Sequence, residues 1–132
     1  MFSVETRTVT GQVTALGSAG PFTLVVDRPT EGGGGGRGFN GGQLLYLAVA
    51  GCISNDLFRE APRFGVELDS VRVTVDGGFS GDPAVSDAIA YDVELSGRGD
   101  LDALVREVDR IAEIPNTLRQ GAPVSLRNVS IV

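Results

Sequence analysis

The segment from Gln43 to Phe58 constrains the fold more than any other. It runs Leu44, Leu45, Tyr46, Leu47, Ala48, Val49 and Ala50 with no charge before Asp56. Asn40 is a good N-cap, and Gln43 three residues later completes a capping-box pattern. Pro62 stops the helix and Gly65 closes the exit turn. A helix that is apolar nearly all round cannot lie on a surface with one face wet. It needs cover on more than one side. A chain of 132 residues buries roughly 68% of its unfolded surface, enough for a real core but a thin one. The cover therefore comes from the chain's own layers together with a second copy, and a homodimer is expected.

The flanks read as strands. Phe2 to Val13 is rich in Thr and Val and is expected to be one strand. Gly17 to Gly20 is taken as its turn, and Phe22 to Asp27 as the strand returning, before Pro29. After the helix, Val66, Leu68, Val71, Val73 and Val75 alternate, with one slip near Ser70. Ile89, Tyr91, Val93 and Leu95 alternate cleanly, so these two segments predict a second antiparallel hairpin. Asp100 caps a second helix, in which Leu101, Leu104, Val105, Val108 and Ile111 recur at helical spacing. Pro115 ends or kinks it, Asn116 to Arg119 can add a turn, and Val129 to Val132 is expected as a short last strand. The order ββ, α, ββ, α, β is an α+β fold without internal repeat, a single domain over residues 1–132.

Composition excludes several functions. Net charge is −6, from 11 basic and 17 acidic residues, so neither nucleic acid nor an anionic membrane surface is an expected partner. Every basic residue is Arg. Without Lys or His there is no Schiff-base chemistry and no imidazole base or metal ligand. One Cys makes no internal disulfide and no cysteine zinc cluster. No cofactor and no metal are expected. No basic leader followed by an apolar run opens the chain, and no uninterrupted apolar stretch is long enough to span a bilayer, so the expected compartment is the cytoplasm.

Three places invite a chemical reading. Gly33, Gly35 and Gly38 match G-x-G-x-x-G, as do Gly36, Gly38 and Gly41, just ahead of a helix N-terminus. Five consecutive glycines match almost any glycine pattern, and no acidic residue closes the following strand as a dinucleotide site requires. Gly32 to Gly38 is expected to be a mobile loop, with an anion site as the alternative. Cys52 is the second. It lies mid-helix with Ala48, Val49, Asn55 and Asp56 one turn away, none of them cationic. The expectation is an inert core thiol without a depressed pKa; activation needs an Arg from elsewhere in the fold or from a second subunit. The third, the scattered carboxylates, forms no telling pair and is expected to be solvated surface.

The run Asn40-Gly41-Gly42-Gln43-Leu44-Leu45, then Ala48, Ala50-Gly51 and Cys52, resembles the central helix of the OsmC/Ohr family of osmotically inducible and organic hydroperoxide resistance proteins. The strand Phe22 to Asp27 with Pro29, the segment Gly65 to Val75 and the run Asn116 to Val124 resemble that family's flanking segments. The resemblance implies a two-layer α+β domain working as an intertwined homodimer. In active members two thiols, an Arg and a Glu meet at the dimer interface. The first Cys attacks a hydroperoxide and becomes a sulfenic acid; the second resolves it as a disulfide.

Carried over residue by residue, the resemblance maps the first Cys onto Cys52 as the candidate catalytic residue. The Glu falls on Gly42. The Arg falls among Gln12 to Thr14, where no Arg stands, with Arg7 the nearest in sequence. The second Cys falls near Ala112 to Ile114 and is absent, because the chain has no other Cys. Three readings follow: a member whose redox centre is degraded and whose apolar interface pocket takes a small ligand; a one-cysteine hydroperoxide reductase using an external thiol; and a glycine-loop anion binder. The missing groups favour the first.

Overall fold

The computed structural model describes residues 1–132. The chain forms two compact units, residues 1–47 and 48–132. The fold is mixed α+β with antiparallel strands, as the pattern predicts.

The first unit is a three-stranded antiparallel meander of β1 (Glu5–Thr8), β2 (Ala15–Ala19) and β3 (Phe22–Val26). The expected single strand Phe2 to Val13 is broken. Val9 and Thr14 close a turn by a 2.9 Å backbone bond, and β1 and β2 pair Thr8 with Ala15 through Glu5 with Ser18. Gly17 and Ser18, expected in a turn, lie inside β2; the reversal to β3 falls one step later, where Ala19 pairs with Phe22. The Thr and Val content marks strand equally on both sides of the first turn, so only Gly11 signals it.

Helix α1 (Gly41–Glu60) starts in this unit and ends in the second. Its capping box is formed. The Gln43 N–H donates to Asn40 Oδ1 at 2.9 Å, and the Asn40 N–H donates to Gln43 Oε1 at 3.0 Å. Past its end, Ala61–Phe64 winds one 3-10 turn with Pro62 in it, and Gly65 closes it in the left-handed region.

In the second unit β4 (Glu67–Asp76) pairs with β7 (Ala90–Arg98), with the register slip between Leu68 and Ser70 where the alternation breaks. A small hairpin of β5 (Phe79–Gly81) and β6 (Ala84–Ser86) fills the connection between them. Helix α2 (Leu101–Ile111) is capped by Asp100, whose carboxylate accepts the Ala103 N–H. Ala112 is extended, and α3 (Glu113–Gln120) restarts beyond it. Pro115 sits in the first turn of α3, where its missing N–H costs nothing. The core is Ile53, Leu57, Ala61, Val66, Leu104, Val108 and Ala112, flanked by Val71, Val73, Val93 and Leu95 from the strand pair. The expected last strand, Val129 to Val132, is not formed; residues 121–132 carry no helix or strand. No helix is long and apolar enough to cross a membrane.

Candidate functional site

Cys52 lies in α1 and is half-buried. Its thiol donates to Asp56 Oδ2 at 3.9 Å. Helical spacing of four puts the two groups on one face. Asp56 is buried, and its other oxygen is held by Arg59 Nη1 at 3.0 Å. The same guanidinium reaches Glu60 at 3.6 Å, and Glu60, also buried, takes Arg63 at 2.9 Å. Both arginines beyond Asp56 are therefore committed to carboxylates. The polar partner of the sulfur is an acid, and the nearest cation along the helix, Arg59, answers that acid instead.

The residues matched to the missing groups are placed as follows. Gly42 is in the first turn of α1. Arg7 is exposed on β1 and pairs with Glu5 at 3.6 Å. Ala112 is fully buried at the joint of α2 and α3, so the position offers a methyl in a packed core.

In the first unit Gln12 to Thr14 form the β1–β2 turn region, and here the sequence reading missed most. Asp27 is buried and takes four donors: the Thr14 hydroxyl at 2.8 Å and the backbone N–H groups of Arg28 at 2.8 Å, Gly35 at 3.0 Å and Arg37 at 3.2 Å. The bond from Gly35, then that from Thr14, hold its pKa down at about 2 against the opposing effect of burial. The glycine run is thus wrapped around an internal anion. Gly36 donates to the Arg28 carbonyl, Gly32 and Gly34 donate to that of Pro29, and Phe39 pairs back onto β3 beside Val26. The close approach needs glycine. A Cβ on Gly34 would stand 2.1 Å from the Arg28 oxygen, and one on Gly38 2.2 Å from the Val25 oxygen. The loop amides that a bound phosphate would use are occupied from within, Gly35 and Arg37 by Asp27 and Gly32, Gly33, Gly34 and Gly36 by backbone carbonyls, which argues against the anion-binder reading.

The same loop carries Arg37 to the turn, where Nη1 donates to Gln12 Oε1 at 2.6 Å. Arg37 has no carboxylate within salt-bridge distance. Twenty-five residues separate the pair, and no spacing rule would have found it. Over the face of the meander lies a cleft of about 520 Å³, walled by Val4, Phe22, Leu24, Val26 and Leu44. It is almost wholly apolar.

The profile of the OsmC-like protein family matches residues 33–127. No curated protein matches the sequence. Among solved structures, an OsmC-like protein from Mycoplasma pneumoniae is similar at 16% identity over 90% of this chain and 87% of that one, with a TM-score of 0.78. An organic hydroperoxide resistance protein OsmC from Legionella pneumophila is similar at 20% identity, over 90% and 89%, with a TM-score of 0.70. An organic hydroperoxide resistance protein from Vibrio cholerae, solved with captopril bound in one of its active sites, is similar at 23% identity, over 90% and 85%, with a TM-score of 0.60. At such identities these likenesses establish the fold.

Proposed function

The chain belongs to the OsmC-like protein family, and we propose that it is a single-domain homodimeric member whose hydroperoxide-reducing centre has degraded and whose apolar cleft takes a small apolar ligand. The observation that carries this reading is the Cys52 thiol set against buried Asp56, with Arg59 committed to that carboxylate. A peroxidatic sulfur works as a thiolate, and a carboxylate partner opposes that charge where a guanidinium would support it. A sulfenic acid formed on Cys52 would find no second thiol in its own chain. The cleft walled by Phe22, Leu24 and Leu44 supports the ligand half of the reading: such pockets hold ligands by apolar contact, with few polar groups.

The test is cumene hydroperoxide consumption with dithiothreitol, wild type against Cys52→Ser, alongside iodoacetamide labelling against pH. The reading predicts consumption near background, unchanged by the substitution, and slow labelling at neutral pH. Rapid labelling with Cys52-dependent turnover overturns it. Leu24→Arg should abolish binding of an apolar fluorescent probe while the circular dichroism spectrum is retained.

Arg37 supports a second reading, a one-cysteine reductase. It is an arginine bonded through its side chain to neutral Gln12, with no carboxylate to offset its charge. In that chemistry the sulfur attacks the hydroperoxide, the O–O bond breaks and the alcohol leaves with the proton. One external thiol then forms a mixed disulfide with loss of water, and a second thiol releases Cys52 by taking the disulfide. Loss of turnover in Arg37→Met would select this reading.

A further inference from the structure

We propose that the cleft over the meander binds a neutral apolar molecule carrying one oxygen, a hydroxyl or a carbonyl, which the Thr6 hydroxyl receives, and that Gly17 sets the depth to which it enters. The inference rests on the ligand half of the reading above and names the class of that ligand.

The sheet register carries the argument. Thr6 pairs with Gly17, and Gly17 with Leu24, so the three stand in one row across β1, β2 and β3. Side chains along a strand alternate between the two faces of its sheet. Val4, Thr6, Phe22, Leu24 and Val26 therefore share the face of Gly17, and with Leu44 they wall the cleft of about 520 Å³. Glu5, Ser18 and Thr23 also border it. They form the neighbouring row, Glu5 against Ser18 and Ser18 against Thr23, and point to the opposite face.

Gly17 is buried in the central strand of the three. Glycine inside a strand weakens it, and marks a bulge, a bend or a close approach. The register runs unbroken on both sides of Gly17, so there is no bulge. A Cβ there would stand 3.2 Å from Val26 Cγ2 and 3.5 Å from Leu24 Cδ1. Those two side chains lie down over the backbone of β2, against the space a side chain at Gly17 would fill, and the cleft opens above them. A methyl at this position would push them up into it.

Charge decides what enters. No acid or base stands on the cleft face. Glu5 is the only charged residue bordering the cleft, and it turns to the other face, where it pairs with Arg7 at 3.6 Å. A carboxylate in the cleft would find no cation and an ammonium no anion, and a charge buried without a partner is costly. Thr6 is the one polar side chain of that face bordering the cleft. It is exposed, and its hydroxyl makes no hydrogen bond within the chain. A hydroxyl can donate to a carbonyl, and can donate to or accept from another hydroxyl. A few well-placed polar groups fix orientation in a pocket that is otherwise apolar. No thiol lines the cleft, so binding alone is assigned to it.

The experiment is fluorescence titration of the full chain at neutral pH with naphthol, naphthalene and naphthoate, three probes on one ring system. Naphthol should bind tighter than naphthalene by about two- to tenfold, the worth of one hydrogen bond, and naphthoate should bind weakest. Thr6→Val, which keeps the shape and loses the hydroxyl, should erase the preference for naphthol and leave naphthalene unchanged. Gly17→Ala should weaken naphthol and naphthalene alike, by about fivefold or more, as an added methyl in filled space does. Equal binding of naphthol and naphthalene, or a preference that survives Thr6→Val, overturns the inference and leaves the apolar cleft standing. Tightest binding by naphthoate overturns it in favour of an anion. Gly17→Ala without effect overturns the role of Gly17. Affinity that falls as protein concentration rises gives the cleft to a second copy and overturns it as a ligand site. No binding by any probe overturns this inference and the ligand reading together.

Discussion

Asp27 in the first unit and Asp56 in the second are both buried carboxylates beside positions that the resemblance marks as chemical, and they are held in opposite ways. Asp27 is surrounded by neutral donors, three backbone N–H groups and one hydroxyl. Asp56 is held by a guanidinium and a thiol. Backbone dipoles fixed around an anion organise a loop, because moving any of them leaves a buried charge short of partners. A guanidinium on a carboxylate neutralises it but fixes little backbone. The first acid therefore builds structure, while the second takes up the guanidinium nearest the sulfur along the helix. The same residue type serves as anchor in one place and as competitor in the other.

The comparison breaks most visibly at Gly34. Because a Cβ there meets the Arg28 oxygen at 2.1 Å, Gly34→Ala should cost about 3 kcal/mol, the upper part of the range for overpacking. Gly32→Ala, whose Cβ would meet Pro29 at an ordinary 3.6 Å, should cost far less. Denaturant titration of the two variants checks this, and equal costs would mean that the loop is not wrapped as described. The loop amides of Gly35 and Arg37 should also exchange slowly with solvent, contrary to the mobile loop expected from glycine content.

Removing the anchor itself comes next. Asp27→Asn replaces one acceptor oxygen by a donor, which then faces either the Arg28 and Gly35 N–H groups or the Arg37 N–H and the Thr14 hydroxyl, and the variant should melt at a lower temperature at neutral pH. The pH dependence carries a sign. The folded pKa is about 2, against 3.8 normally. The unfolded chain therefore takes up this proton first as pH falls. Stability from this group is present above about pH 4 and is lost progressively as pH drops toward 2. Melting temperature against pH should fall over that window in the wild type and less steeply in Asp27→Asn. Parallel slopes would remove Asp27 from the account.

Legibility in the sequence follows the range of the interactions. The Asn40–Gln43 box, the Pro62 stop, the Asp100 cap and the β4–β7 pairing with its slip near Ser70 were all legible, because each is local or periodic. Cys52 and Asp56 one turn apart were legible for the same reason. The β1–β2 turn was missed because Thr8, Val9, Thr10, Val13 and Thr14 favour strand on both sides of a reversal marked by Gly11 alone. The order in the glycine loop was missed because its organiser lies eight residues before Gly35 and ten before Arg37. Glycine content tells how freely a backbone moves; it does not tell which carboxylate will hold it. Arg37 on Gln12 was invisible for that reason too, since it follows from the wrapped loop.

A third acid sharpens the comparison. Asp109 takes one neutral donor, the Tyr91 hydroxyl, and one guanidinium, Arg119 at 2.8 Å. The Tyr91 bond, then Arg119, hold its pKa below the usual carboxylate range. Burial first, and then this bond, push Tyr91 up to about 12. Tyr91→Phe should cost about 1 kcal/mol, as for a single hydrogen bond. In the wild type, stability tied to Tyr91 should be complete below about pH 10 and lost as pH rises toward 12, since the unfolded tyrosine ionises first. Absorbance titration at alkaline pH, wild type against Tyr91→Phe, should show Tyr91 ionising near 12, and a Tyr91 that ionises at the ordinary tyrosine value would dissolve the network.

The smallest effect is the one that bears on function. Asp56→Asn keeps the shape beside Cys52 and removes the negative charge. Arg59, whose side chain is 60% exposed, can turn to solvent or remain with Glu60, so the stability change should stay within about 1 kcal/mol. Alkylation runs through the thiolate, and a neighbouring carboxylate opposes that form. Iodoacetamide labelling of Cys52 at neutral pH should therefore speed up in Asp56→Asn. Asp27→Asn, where it remains folded, should leave the rate unchanged, because its carboxylate serves the loop. A rise in both variants would trace labelling to general loosening of the fold. A fall in Asp56→Asn would show that the carboxylate takes the thiol proton and assists the sulfur, and the competitor would become a base.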